Sequence, residues 1–223
     1  MSLISKIIRS RRRTVSLEIT PDANLIVRVP MKISMDAIDG IIEKRRSWIL
    51  DKQQKAKEKH QAVTKHQFIE GEEFLYLGSL HKLRVVQDAC KSFEFNGMEF
   101  LIAEKFLPRA KELLQRWYIR QARELITPRV QFYAQAIGQK YSQIKITSAK
   151  TRWGSCSGRK TLSFSWRLMM TPLEMVDYVV AHEVAHLQEL NHSSRFWDKV
   201  KLLMPDYKQR MQWFRNNQHL LRF

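Results

Sequence analysis

The chain has 223 residues, 44% of them hydrophobic, enough to bury a sizeable core in one domain or a small pair. Its two cysteines, Cys90 and Cys156, argue against a disulfide framework and suit a reducing compartment. Neither the N-terminal MSLISKIIRSRRR nor any later apolar run has the form of a signal peptide or a membrane span, so a cytoplasmic protein without membrane association is expected.

The formal net charge is +17, with 14 basic against 7 acidic side chains in residues 1–60, 4 against 7 in 61–104, and 21 against 8 in 105–223. Positive field at both ends would attract nucleic acid, nucleotides or another polyanion, or simply form a solvated basic surface.

In chain order, Thr14 to Ile19 alternates, Pro21 to Asn24 is a turn cluster, and Leu25 to Val29 reads as the return strand of a hairpin. Ser34 caps a helix through Ile38, Ile41, Ile42, Arg45 and Ile49. The charged run Asp51 to His60 reads as a solvated tail or linker. Residues 74–86 and 93–103 are β-rich, with Asn96-Gly97 as a strong hairpin signal. From Phe106 to Gly138 apolar residues recur at three-and-four spacing, and Thr127-Pro128 should kink that helix or start a second. Arg109, Arg116, Arg120 and Arg123 fall near one of its faces, either solvated or the first place to look for polyanion contact.

Residues 144–152 and 161–168 look like paired strands joined through Ser157 to Lys160, the second placing Leu162, Phe164, Trp166 and Leu168 on one face. Thr171-Pro172-Leu173-Glu174 combines capping-box spacing with proline at the first helical position, which puts His182 and His186 well inside the following helix. Ser193 or Ser194 caps a further helix carrying Phe196, Trp197, Val200 and Leu203, ended by Pro205. The pattern is α+β, a β-rich N-terminal region with one helix over 1–104 and an α+β region over 105–223.

The sequence His182-Glu183-Val184-Ala185-His186, followed by His192, supplies the ligand set of a catalytic zinc site. Residues four apart share a helical face at about 6 Å axial offset, so His182 and His186 can address one ion. Glu183, rotated by about 100°, suits a base better than a ligand. His192 stands six residues after the second histidine, the spacing of the motif H-E-x-x-H-x-x-G-x-x-H, although Glu189 occupies the glycine position. Asn191, tolerant of left-handed backbone, is then the expected turn residue. Glu189 competes as third ligand but would lie about 10 Å along a continuous helix from His182, which favours His192. A structural zinc site would more often be closed by four ligands and rich in cysteine.

Arg152-Trp153-Gly154-Ser155-Cys156-Ser157 together with HEVAHLQELNHSSRFW, from His182 to Trp197, resembles the YgjP-like metallopeptidase family, also described as predicted metal-dependent hydrolases. RSRRRTVSLEITPDANLIVRVP and EEFLYLGSLHKLRVV resemble it more weakly. The resemblance implies a zincin-like catalytic region with the motif helix packed on a small sheet, one Zn2+ held by His182, His186 and His192, and Glu183 as base. It also implies kinship to SprT-like and WLM-type proteases, and members carry a nucleoside triphosphate (UTP) pyrophosphatase label.

The leading expectation is a zinc-dependent hydrolase acting on a peptide or protein. The alternatives are a metal-dependent UTP pyrophosphatase and a nucleic-acid-associated protein with structural zinc. Arg152 is a candidate transition-state contact or a salt-bridged strand residue, and Trp153 either lines the cleft or packs. By analogy with zincins, Thr161 to Leu168 is either an edge strand for an extended peptide or an ordinary core strand.

Overall fold

Alternation of buried and half-buried positions makes Leu25–Pro30 (β3) the middle of a three-stranded sheet. β2 (Ser16–Ile19) pairs with it antiparallel as the expected hairpin, and β1 (Ile4–Ser10) pairs with it in parallel. The computed structural model describes residues 4–20, 22–61, 66–87 and 91–217; Pro21 and Cys90 lie outside them.

The Ser34 hydroxyl accepts the Ala37 N–H and caps α1 (Met35–Lys44). The chain breaks at Arg45 and continues as α2 (Arg46–Gln61). The run Asp51 to His60 is therefore helix, where a solvated tail or linker was expected. Its Lys, Gln, Glu and Ala residues are strong helix formers, and charge alone does not break a helix whose start is anchored by buried Ile49. Leu25, Val27, Val29, Ile38, Ile42 and Ile49 close the core of this first compact unit, Met1–Lys65.

The second unit, His66–Phe223, holds one continuous core. A four-stranded sheet comes first, in order β4 (Glu73–Tyr76), β5 (Ser79–Val86), β7 (Phe100–Ala103), β6 (Phe93–Phe95). Asn96-Gly97 joins β6 to β7 as expected, the Asn96 carboxamide oxygen accepting the N–H groups of Met98 and Glu99. The expected division between residues 104 and 105 falls inside this unit. Phe74, Leu83, Phe93, Phe100 and Ile102 of the sheet belong to the same buried cluster as Leu114, Trp117 and Tyr118 of α3 (Ala110–Ala136).

Helix α3 runs through Pro128 as one element, so no second helix starts there. Arg109 and Arg116 both pair with Glu112, at 3.1 and 2.6 Å, which locally neutralises part of the arginine stripe.

The second sheet has the order β8 (Gln143–Thr147), β10 (Thr161–Ser165), β9 (Gly154–Cys156). The turn through Ser157 to Lys160 joins β9 to β10, whereas β8 pairs with β10 in parallel. β10 is thus the central strand, buried at Leu162 and Phe164, and the edges available to a further strand belong to β8 and β9. β10 also ends earlier than expected. The Ser165 hydroxyl accepts the Arg167 N–H and turns the chain into a 3-10 segment, Trp166–Met170.

α4 (Leu173–Ala185) follows, with Pro172 at its N-cap. The Thr171 hydroxyl donates to the Leu168 carbonyl, closing the preceding turn instead of forming the expected capping box. α5 (Ser194–Leu203) and α6 (Tyr207–Asn217) complete the unit. No helix among the described residues is long and apolar enough to cross a membrane.

The start of α4 is fixed by contact with the β4–β5 hairpin. The Leu77 N–H donates to the Met169 carbonyl at 2.8 Å, and a Cβ on Gly78 would stand 2.8 Å from Pro172 Cγ. Gly78 also has φ +85°, a region costly to residues with a Cβ. Gly78→Ala should therefore destabilise the second unit by about 2 kcal/mol, read as a lowered urea midpoint; an unchanged midpoint would mean that this junction does not position α4.

Candidate metal centre

α4 is apolar on nearly every face, burying Met175, Val176, Val179, Val180, Ala181, Val184 and Ala185, as expected of a helix enclosed by protein. It carries His182 and Glu183 into the interior and ends one residue before His186, which occupies the C-cap position. His186 is therefore at the helix end, not well inside it. The N–H groups of Gln188 and Glu189 turn back onto the Ala185 carbonyl. That turn uses no left-handed residue, since Asn191 is absent from the positive-φ positions; its carboxamide oxygen instead accepts the Ser193 N–H. Ser193 then occupies the N-cap position of α5, although its hydroxyl makes no cap hydrogen bond.

The result brings together His182, His186 and His192, whose potential ligand atoms all lie within 4.8 Å of one another. The Nε2 atoms of His182 and His192 face each other at 3.1 Å. Bonds of about 2.0–2.1 Å in tetrahedral geometry would separate two donor atoms by about 3.3 Å. His186 Nδ1 lies 2.9 Å from the Glu189 carbonyl oxygen. A carbonyl can only accept, so Nδ1 carries the proton and Nε2 keeps its lone pair. Glu189 thus contributes through its backbone, orienting a ring, while its side chain stays outside the group.

Burial, reinforced by the neighbouring imidazoles His186 and His192, pushes His182 down to about 3. His186 is lowered too, chiefly by burial, with the Glu189 carbonyl opposing and His192 adding. Rings kept neutral in this way, with lone pairs converging, fit a divalent ion. Three imidazoles leave a fourth position for water or substrate.

Two residues that complete the site were missed by sequence reasoning. Phe196, fully buried on α5, lies under all three rings, stacked on His186 at 4.3 Å and edge-on to His182 and His192 at 4.9 and 4.7 Å. Its helical spacing marked it as a core residue, and nothing in a linear pattern reveals what it supports. Gly154 on β9 is the second. A Cβ there would lie 2.5 Å from Glu183 Cγ and 2.6 Å from Oε1, so only glycine admits that side chain. Its place in the Arg152 to Ser157 motif was a signal without a reason.

Glu183 is 6% exposed, and its carboxyl is pushed up to about 8 by burial, with Arg152 opposing. Arg152 is itself exposed but close enough to act on that carboxyl. Trp153 lines a cavity of about 280 Å³ together with Gly154, His182 and Glu183. Cys156 is a free thiol packed partly against the core and raised by burial and by Glu183.

A family model described as YgjP-like, metallopeptidase domain matches residues 13–217. Among solved structures, the metallopeptidase zymogen of Pyrococcus abyssi abylysin is 21% identical with a TM-score of 0.38, over 42% of this chain and 95% of that one. No curated protein matches the chain.

The raised Glu183 sets a pH dependence for the metal-free protein. Its folded value lies above the ordinary carboxylate value of 4.5, so its stabilisation is complete below pH 4.5 and is lost as pH rises towards about 8. Glu183→Gln has no such loss. In chelator-treated protein, the stability of the variant relative to wild type should therefore rise by about 4 kcal/mol between pH 4.5 and 8.5, measured by urea unfolding. A difference flat across that range would place the carboxylate in a polar environment.

Proposed function

The chain belongs to the YgjP-like metallopeptidase family, and on that footing we propose that it is a zinc-dependent peptidase with His182, His186 and His192 as ligands and Glu183 as general base. The observation that carries this reading is the convergence of three imidazoles beside a buried glutamate on the same helix. When bound there, zinc would supply Lewis-acid activation of water and of the scissile carbonyl.

The remaining work falls to this chain's own groups. Glu183, held against Gly154, takes a proton from the attacking water and delivers it to the leaving nitrogen. Burial gives this carboxylate, once ionised, a higher proton affinity than an exposed one, which strengthens it as an acceptor. Phe196 fixes the imidazole planes, and the Glu189 carbonyl fixes the His186 tautomer. Arg152, near the Glu183 carboxyl, is positioned to favour developing negative charge. An extended substrate adds to the free edge of β9, the strand whose Gly154 touches the base.

Among the described residues, the side chains grouped to hold an ion are these histidines, with no carboxylate cluster of the kind magnesium takes in phosphoanhydride chemistry. This supports the peptidase reading over a pyrophosphatase.

Metal analysis and peptide hydrolysis test the assignment together. Wild type should carry one zinc per chain; Glu183→Gln should keep it and lose about 10²- to 10⁴-fold in rate. Full activity in that variant would refute the assigned base. Gly154→Ala should likewise retain zinc but lower kcat, because the new methyl displaces the Glu183 carboxyl. His192→Ala should lose the metal itself.

A further inference from the structure

The cavity beside Glu183 extends beyond the atoms that the proposed hydrolysis uses. Its outer wall is α6, pinned by Phe214, which is 8% exposed and sits between Trp153, at 5.1 Å between ring centroids, and Tyr178, at 6.1 Å. Val179 and Met211 complete an apolar lining, His182 and Glu183 form the chemical end, and exposed Arg215 stands among the lining residues. At about 280 Å³ the space falls just below the range of about 300–1,000 Å³ typical of whole-ligand sites, a size suited to one large side chain.

Aromatic walls of this kind recognise either a cation over the ring faces or an apolar ring packed edge or face against them. Charge decides between these guests. Arg215 borders the cavity away from the Glu183 end, so an anion on an apolar guest would meet opposite charge at Arg215, whereas a cation there would meet like charge and find its counter-charge only at Glu183. Among the described residues no carboxylate pairs with Arg215, whose guanidinium makes a long approach to the Met211 sulfur at 3.8 Å.

We infer that this cavity is a specificity pocket for a large apolar, preferably aromatic, substrate residue with a carboxylate beside it, the ring packing among Trp153, Tyr178 and Phe214 and the carboxylate pairing with Arg215. The inference rests on the peptidase reading and adds a substrate class to it. The carboxylate is either the substrate's own C-terminus or a neighbouring acidic side chain.

The test reads binding to chelator-treated protein and needs no hydrolysis. Four probes are titrated against tryptophan fluorescence: N-acetyl-phenylalanine, its amide, N-acetylglycine, and the amidated dipeptide N-acetyl-phenylalanyl-glutamate. Trp153→Phe identifies the reporting ring. N-acetyl-phenylalanine should bind at least about tenfold more tightly than N-acetylglycine and than its own amide, a difference of about 1.4 kcal/mol. Tight binding of the dipeptide would identify an acidic neighbour as the preferred source, and weak binding the C-terminus.

Met211→Trp should fill the cavity and abolish binding, while Arg215→Ala, at an exposed position, should erase the preference for acid over amide. Equal binding of N-acetylglycine, or an acid preference that survives Arg215→Ala, would overturn the pocket while leaving the peptidase reading intact. Ligand binding by a protein that Glu183→Gln does not inactivate would do the reverse.

Discussion

Helix α4 can carry Glu183 against β9 only because residue 154 has no side chain. A methyl group there would stand 2.5 to 2.8 Å from the Glu183 side chain, well inside van der Waals contact, so the helix or the glutamate would have to shift. The state of Glu183 follows from that approach. It buries the carboxyl, raises its proton affinity, and brings it beside a strand whose other edge is free. The approach is held from behind by β10, central in its sheet and buried at Leu162 and Phe164, and at the helix start by Gly78 against Pro172. A side chain carried by enclosed elements is placed more firmly than one carried by a loop.

The histidines are arranged by a second device. His182 and His186 come from one helix, but His192 reaches them only because the chain turns sharply after Ala185 and re-enters as α5. The hydrogen bond from His186 Nδ1 to the Glu189 carbonyl belongs to that turn, so the contact that shapes the helix end also selects the ring tautomer. Phe196, two residues into the returning helix after its first residue, then backs all three rings from the core side. The third histidine and the ring that backs it arrive on the same short segment.

These devices explain what could be read from the sequence. The hairpin of β2 and β3, the Asn96-Gly97 turn, the Ser34 cap and the spacing of the three histidines are local, and local patterns carry them. The parallel pairings of β1 with β3, β5 with β7 and β8 with β10 join segments far apart, where alternation tells which face is buried but not which strand lies alongside. That is why β10, clean in its alternation, could be taken for an edge. Pro128 and the charged run of α2 misled in a different way, because neither the missing donor nor the charge outweighs a helix sustained along the rest of its length. Gly154 was invisible because its backbone needs no special conformation. Only the neighbour that fills its empty side-chain space gives it meaning.

The site's electrostatics couple the buried carboxyl to the three histidines. A carboxyl pushed up to about 8 is mostly protonated at neutral pH, and a protonated base accepts nothing. The imidazoles beside it offer no remedy while metal-free, since burial keeps His182 and His186 neutral. His182, His186 and His192 would hold a divalent cation whose charge would favour the carboxylate, and by linkage the ionised carboxylate would strengthen their hold on it. In the proposed enzyme, burial of Glu183, which Gly154 permits, would thereby tie the ionisation of the carboxyl to occupancy of the histidine site.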